Sequence, residues 1–193
     1  MSLYQQAEKF VQESFLKSSG KKSKHSERTV FWMKKNYPKA DEAMLIAAIA
    51  HDIERAFRED KLDGIVNNKK GFLDRNHLKQ HQEKGAEIIS QFLVSQNVDM
   101  NLIERVRSLV SKHEVGGSEE QNALKDADSL SFLENNVDYF IDNLKDMIGE
   151  GKVREKITWM FERITSEEAK EIARPWYEDA IKNLKERQVA SIY

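Results

Sequence analysis

One histidine of this chain is followed directly by an aspartate at the end of an apolar stretch. His51 and Asp52 come after the apolar run Ala43–Ala50, in the segment AAIAHDIER. An ionised carboxylate at the end of a buried helix needs a cation or a full set of donors, because burying an unpaired charge is costly. Imidazole nitrogen and carboxylate oxygen together suit divalent first-row metals. Such a metal acidifies a coordinated water and polarises a substrate oxygen, so the pair indicates metal-assisted chemistry.

Three further histidines and a second aspartate stand in segments with helical patterns. His25 opens HSERTV, and His81 begins HQEKGAEII. His113 ends a helical segment in SKHEVGG, and Asp128 lies between apolar residues in LKDADSL. Hydrophobic periodicity alone cannot bring these segments together, so the residues by themselves leave the grouping open.

Composition limits the kinds of site that the chain can build. There is no cysteine in the 193 residues, which excludes disulfides, thiolate metal sites and cysteine nucleophiles. Charged residues make up 33% of the chain but nearly cancel, to a formal net charge of −2. This balance gives no long-range field that would collect nucleic acid or an anionic membrane. Any metal must therefore have nitrogen and oxygen ligands, and a small charged substrate remains compatible with the composition.

Nothing at the start of the sequence resembles a targeting segment. The first ten residues, MSLYQQAEKF, lack a basic region followed by an apolar run, so we expect no signal peptide. The longest apolar stretch, Ala43–Ala50, is too short to span a bilayer. A cytoplasmic protein with no membrane partner is the expectation.

Apolar residues recur with helical spacing along most of the chain, and no segment alternates like a strand. The pattern predicts one all-α domain over 1–193. Ser166 is the expected N-cap of the last helix, and Pro175 is expected to kink or restart it. The predicted helices are Tyr4–Leu16, His25–Asn36, Asp41–Phe57, Asn76–Ser95, Asp99–Lys112, Asn122–Ile148, Val153–Ile164 and a last helix from Ser166.

The segment Arg58–Asn76 is rich in charge, asparagine and glycine and predicts a long loop. Lys69, Lys70 and Arg75 lie in or beside it. These cations are candidates for closing over an anionic substrate, although charged residues in a loop are more often simply solvated.

The ordered set His25, His51, Asp52 and Asp128 resembles the H…HD…D signature of the HD superfamily, whose fold is a helical bundle around a metal site. The surrounding segments are similar too: HSER resembles the family's HxxR opening, AHDIER its HDI helix, and DADSL the helix with the last aspartate. The resemblance covers about residues 25–135, the motif core of the expected domain. Outside that span nothing matches the family, and we expect the C-terminal helices in 136–193 to pack on that core.

Two more segments resemble those of HD members with two metals. HQEKGAEII is similar to their HPxxGAEIL segment, and KHEVGG to their HHExxDG segment. The resemblance thus implies the metal ligands His25, His51, Asp52, His81, His113 and Asp128, with Asp52 bridging two metals about 3.5–4 Å apart. It implies one or two divalent ions per chain, of Fe, Mn, Zn, Co, Ni or Mg.

Several positions depart from the patterns of particular HD subgroups. The GYP triplet of cyclic-dinucleotide phosphodiesterases is missing, and Lys112 replaces the first histidine of their His-His pair. Glu54 and Arg55 stand where those enzymes continue HDIGK. Ser129 follows the last aspartate, where nucleotide-acting relatives often have a basic residue. These differences argue against cyclic dinucleotides, and they lower the expectation of deoxynucleotide triphosphates and alarmones.

Three side chains near the motifs have two interpretations each. Arg28 lies one helical turn after His25 and is a candidate catalytic residue that would direct a fork of donors at a phosphate; the alternative is a salt bridge on the helix surface. His77, one turn before His81, is either a substrate contact or an exposed residue. Asp126 either orients a ligand histidine or lies on the helix surface.

The sequence therefore predicts a metal-dependent phosphohydrolase, acting on a nucleotide or another small phosphate ester as a phosphomonoesterase or phosphodiesterase. HD-fold di-iron oxygenases, such as inositol oxygenase and phosphonate-cleaving relatives, have a similar ligand pattern, so cleavage of a carbon bond in a small polar substrate is the alternative. A non-catalytic metal-binding domain is a further alternative. We expect a small phosphorylated substrate as partner and no nucleic acid polymer, and a homo-oligomer is compatible with the sequence.

Overall fold

Helices provide all the regular structure in residues 1–59 and 73–186, which are the residues that the computed structural model describes. Neither range contains a strand, so the all-α prediction is confirmed. The helices are α1 (Leu3–Ser19), α2 (Lys24–Asn36), α3 (Glu42–Ala50), α4 (Glu54–Phe57), α5 (Arg75–Ser95), α6 (Met100–Val110), α7 (Glu119–Asn135), α8 (Val137–Tyr139), α9 (Lys145–Ile148), α10 (Glu150–Glu162) and α11 (Glu167–Glu186), with a π-helical turn at Phe140–Leu144.

Helix α3 lies at the centre of the bundle because it has no polar face. Its residues from Ile46 to Ala50 are fully buried, and the helix packs against α1, α2, α6 and α7. Asp41 caps its N-terminus by accepting a hydrogen bond from Met44 N at 3.2 Å. The apolar run seen in the sequence is thus the core element from which the next two residues extend.

The chain leaves α3 through a tight turn. The sequence predicts one helix over Asp41–Phe57, but α3 ends at Ala50 and α4 begins at Glu54. Ile53 N bonds to Ala50 O at 2.9 Å, so the turn closes with a bond to the third preceding residue. Such tightening turns successive side chains further around the axis than an α-helix does. His51 and Asp52 both become buried in this turn.

Helix α7 is the second central element. Every residue from Leu124 to Leu133 is buried, and the helix packs against α2, α3, α10 and α11. The predicted helix Asn122–Ile148 is wrong beyond Asn135, because α8, the π-helical turn and α9 replace a continuous helix. The π-helical turn buries Phe140, Ile141 and Leu144 together.

The last helix begins as the sequence predicts. Ser166 Oγ accepts a hydrogen bond from Ala169 N at 3.3 Å, and α11 starts at the next residue, Glu167. Pro175 lies inside α11, which continues through it, so the expected restart is wrong and the kink stays a prediction. None of the helices within the described ranges is long and apolar enough to cross a membrane.

Asp126 joins α7 to the start of α11. Its Oδ1 accepts hydrogen bonds from Thr165 N at 2.9 Å and from Thr165 Oγ1 at 3.1 Å, and its Oδ2 accepts from Ser166 N at 2.8 Å. The sequence-based interpretations of Asp126, an orienting partner of a ligand histidine or a surface carboxylate, are therefore both wrong. The side chain is buried and anchors the connection between α10 and α11.

We expect Asp126→Asn to lower the free energy of unfolding by about 1–2 kcal/mol, because an amide nitrogen cannot accept the hydrogen bond that Oδ2 now accepts. Urea unfolding followed by circular dichroism measures the change. Asp179→Asn, an exposed substitution on α11, is the matched control. Equal unfolding midpoints for the two variants would contradict the anchoring role.

Candidate metal centre

Four histidines from separate elements meet beside the end of α3. His25 lies in the first turn of α2, His51 in the turn after α3, His81 on α5, and His113 just after α6. His51, His81 and His113 are buried, and the side chain of His25 is only 12% exposed. The structure thus brings together all four histidines that the sequence analysis grouped.

A glycine lets α5 approach the turn that contains His51. A Cβ added at Gly85 would lie 3.3 Å from His51 O and 3.6 Å from Val110 Cγ1. A distance of 3.3 Å to a Cβ is shorter than most Cβ contacts, so a residue larger than glycine at position 85 would push α5 away from the His51 turn. Gly85 follows His81 by one helical turn, and the close approach therefore keeps the His81 ring beside the His51 turn.

Backbone carbonyls set the proton position on two of the rings. His51 Nδ1 lies 2.9 Å from Ala48 O, and His113 Nδ1 lies 2.8 Å from Val110 O. Carbonyl oxygens only accept, so Nδ1 donates in both rings. In the neutral imidazole, Nε2 then has a free lone pair.

Side chains set the proton position on the rings of His25 and His81. Ser131 Oγ donates its single hydrogen to His25 O at 2.8 Å, so it accepts from His25 Nδ1, also at 2.8 Å. His81 Nδ1 donates to Glu54 Oε2 at 2.8 Å. All four neutral rings therefore present an unprotonated Nε2 to one another. Metal-binding histidines are oriented by such hydrogen bonds from the other nitrogen.

The inward-facing atoms are all acceptors, yet they lie close together. His25 Nε2 is 3.2 Å from His51 Nε2 and 3.0 Å from Asp128 Oδ1. His113 Nε2 is buried and has no hydrogen-bond partner among the described residues. Facing lone pairs at these distances repel unless a cation or proton lies between them. A divalent metal would accept electron pairs from these nitrogen and oxygen atoms, so the set of donor atoms fits a divalent metal ion.

Asp52 presents one oxygen to each of two histidine pairs. Its Oδ2 is 3.8 Å from His25 Nε2 and 3.9 Å from His51 Nε2. Its Oδ1 is 2.9 Å from His81 Nε2 and 4.0 Å from His113 Nε2. In each of these two groups, the potential ligand atoms lie within 4.8 Å of one another. This arrangement suits a carboxylate shared by two ions.

Three cations surround the acidic side of the cluster. Arg55 Nε lies 2.8 Å from Asp52 Oδ2. Arg163 on the α10–α11 connection forms ion pairs with Asp128 and with Glu114, and its Nε donates to Ser129 Oγ at 2.8 Å. Lys156 of α10 lines the same small cavity as Asp52 and Asp128.

Burial and neighbouring charges shift the pKa values of these groups. Burial opposes protonation of His51, but the carboxylates of Asp52 and Asp128 outweigh it and raise the pKa of His51 to about 9. Burial lowers the pKa of His113 to about 4. Burial alone would raise the pKa of Asp128, but Arg163 and His51 hold it well below the usual range. The aspartate is thus an anion at neutral pH, and His113 keeps its Nε2 lone pair.

A family model described as "Domain of unknown function (DUF4202)" matches residues 6–184. The chain belongs to the DUF4202 family. No curated protein matches this DUF4202 chain significantly. Its fold is similar to the crystal structure of a predicted HD superfamily hydrolase from an uncultured Thermotogales bacterium, with a TM-score of 0.55 and 20% sequence identity over 98% of this chain and 92% of the other. The HD-type helical fold expected from the resemblance is therefore confirmed.

The structure corrects the placement of Arg28. Its Nε donates to Glu134 Oε2 at 2.8 Å and its Nη2 donates to Glu134 Oε1 at 2.7 Å. Trp32 Nε1 donates to the same carboxylate at 3.0 Å. The donor fork expected to hold a phosphate is therefore bonded to Glu134, and Arg28 does not line the cavity beside the cluster. This is the salt bridge that the sequence left as the alternative.

The remaining candidates from the sequence are not among the grouped ligand atoms or fall outside the described residues. His77 is half-buried, and burial lowers its pKa. Arg75 is exposed at the start of α5. Lys69 and Lys70 fall within residues 60–72, outside the described ranges.

Sequence analysis missed the contribution of α10 and of the residues after it. Lys156 and Arg163 lie beyond the span that resembles the HD motifs, and Glu114 was passed over beside His113. One signal was available: Lys156 occurs at helical spacing within the apolar face formed by Val153, Ile157 and Met160, and it is buried there. A charged residue within an apolar stripe indicates a specific role for its charge.

Glu54→Gln is expected to weaken metal binding by about tenfold to a hundredfold, because the charged acceptor that orients the His81 ring is lost. Isothermal titration calorimetry with Mn²⁺ measures the change. Glu162→Gln, an exposed substitution on α10, is the control and should bind Mn²⁺ like the unmodified protein. Unchanged affinity in Glu54→Gln would show that His81 needs no such partner.

Proposed function

We propose that this DUF4202 chain is a metal-dependent phosphohydrolase acting on a nucleotide or another small phosphate ester. The observation that supports this most is the set of four histidine rings whose Nε2 atoms face the carboxylates of Asp52 and Asp128 while hydrogen bonds hold their Nδ1 atoms. In our proposal His25, His51, Asp52 and Asp128 hold one divalent ion, and Asp52, His81 and His113 hold a second. Fe, Mn, Zn, Co, Ni and Mg all suit nitrogen and oxygen ligands.

A bound ion would acidify a coordinated water and polarise an oxygen of the substrate. In the net reaction, water adds to phosphorus, the P–O bond to the ester group breaks, and the alcohol leaves with a proton from the water. The chain's own residues hold the reacting groups. Ser131, Glu54 and the carbonyls of Ala48 and Val110 orient the histidine rings.

The cations beside the cluster support a negatively charged substrate. Arg55 and Lys156 line the cavity that also contains Asp52 and Asp128. Arg163 holds Asp128 and Glu114 in place through ion pairs. Fixed positive groups next to a phosphoryl group stabilise the charge on its oxygens in the transition state. A neutral substrate such as inositol would not need these cations, whereas the anionic substrate of a phosphonate-cleaving oxygenase would.

The similar fold of the predicted HD superfamily hydrolase gives secondary support to the proposal. The proposed partner is a small phosphorylated molecule, and neither a nucleic acid polymer nor a membrane is part of the proposal. The ligand residues would also serve an HD-fold di-iron oxygenase, so the metal and the need for dioxygen must be measured together.

Protein purified without added metal or chelator is expected to contain about two divalent metal atoms per chain by elemental analysis, because Asp52 can serve two groups of histidines. It should release phosphate from small phosphate esters equally well with and without dioxygen. About one metal atom would leave His81 and His113 without a ligand role. Iron together with oxygen-dependent turnover would favour the oxygenase, and the lack of any metal uptake would overturn the catalytic proposal.

Asp52→Ala should lose metal and phosphatase activity together while keeping its helix content, because the variant lacks the carboxylate shared by both groups of histidines. Elemental analysis, turnover and circular dichroism measure the three properties on one preparation. Asp179→Ala, exposed on α11, should keep all three. Full metal content in Asp52→Ala would contradict the assignment of Asp52.

A further inference from the structure

Lys156 is a buried cation that forms no ion pair within 4.0 Å among the residues that the structure describes, and the carboxylate of Glu114 interacts with it over a longer distance. The relative exposure of Lys156 is 6%. Its Nζ lies 4.5 Å from the ring centroid of Trp159 and 5.7 Å from that of Phe132. The aromatic rings cover the side chain, but they do not replace the hydrogen bonds of an ammonium group.

The neighbouring arginine side chains already form ion pairs with carboxylates. Arg55 pairs with Asp52, and Arg163 pairs with Asp128 and Glu114. No carboxylate oxygen of the described residues lies within 4.0 Å of Lys156 Nζ. Burying an ammonium without a hydrogen-bonded partner is costly, and Glu114 is already paired with Arg163, so the position favours an anion that arrives from outside the chain. Lys156 lines the cavity next to the candidate metal ligands, where such an anion would meet it.

The cavity in front of Lys156 is small. Its volume is about 30 Å³, and Phe132, Phe140 and Met160 form its apolar walls. A space of this size accommodates one or two water molecules. It suits a non-bridging phosphoryl oxygen, whereas a carbon substituent of a second ester bond would clash with these walls.

We propose that Lys156 is a specificity-determining residue that selects a terminal phosphoryl group, in a phosphomonoester or at the end of a phosphoanhydride, over an internal phosphodiester. This inference rests on the proposed function and decides whether the substrate is a phosphomonoester or a phosphodiester. A terminal phosphoryl group has three non-bridging oxygens. One of them can bond to Lys156 while the others face the metal ligands and Arg55. A diester has only two such oxygens and one less negative charge.

Phosphate binding tests this preference for a terminal phosphoryl group without any catalysis. Inorganic phosphate should bind to the Mn²⁺-loaded protein at least about tenfold more tightly than dimethyl phosphate in isothermal titration calorimetry. Lys156→Met should weaken phosphate binding by about tenfold to a hundredfold, the usual effect of removing a hydrogen bond to a charged group. Lys156→Arg should restore most of the affinity, because it keeps the positive charge. Lys152→Met, one turn earlier on α10 and outside the cavity lining, should bind phosphate normally.

Turnover separates failure of this inference from failure of the proposed function. The unmodified protein should hydrolyse p-nitrophenyl phosphate in preference to bis-p-nitrophenyl phosphate, and Lys156→Met should raise KM for the monoester. Circular dichroism checks that this variant is folded. Equal phosphate affinity in Lys156→Met and Lys152→Met, or preference for the diester, would overturn the role of Lys156. Lys156-dependent phosphate binding without hydrolysis of either ester would retain the subsite and overturn the hydrolase.

Discussion

The structure depends on the burial of negative charge beside the core helix. Asp52, Asp128 and Glu114 are each less than a tenth exposed and lie near the end of α3. Buried carboxylates are tolerated only when cations or donors compensate them. The tight turn after Ala50, the histidine rings and the α10 side of the bundle all contribute to that compensation. The helices must therefore pack so that cations and hydrogen-bond donors reach these carboxylates, and the same carboxylates are the candidate metal ligands and their neighbours.

The histidine rings are oriented by two kinds of partner. His51 and His113 each use a carbonyl three residues earlier, in the helix that precedes them, so local backbone geometry sets which ring nitrogen faces the cluster. His25 depends instead on Ser131 of α7. His81 depends on Glu54 of α4. Two rings are thus oriented by local structure, and the other two require α2 to pack against α7 and α4 to pack against α5.

Helix α10 and the connection after it determine the charge of the site opening. Arg163 neutralises Asp128 and Glu114, and Lys156 remains for an external anion. The histidines and aspartates alone are compatible with either hydrolysis or oxygen chemistry. The cations in the 156–163 segment are what favour a phosphorylated substrate. In the proposed function, substrate class therefore depends on a part of the chain that lies outside the segments resembling the HD motifs.

The sequence by itself determined the all-α class, the buried character of α3 and the N-cap of α11, because hydrophobic periodicity and capping are local properties. The motifs also identified the six residues that the structure brings together. Only the tertiary structure decided the turn at His51, the anchoring role of Asp126 and the bonding of Arg28 to Glu134. It also decided that Lys156 lies beside the cluster. The last three depend on contacts between residues distant in sequence, such as Arg28 and Glu134, which are 106 positions apart, and local patterns carry no information about such pairs.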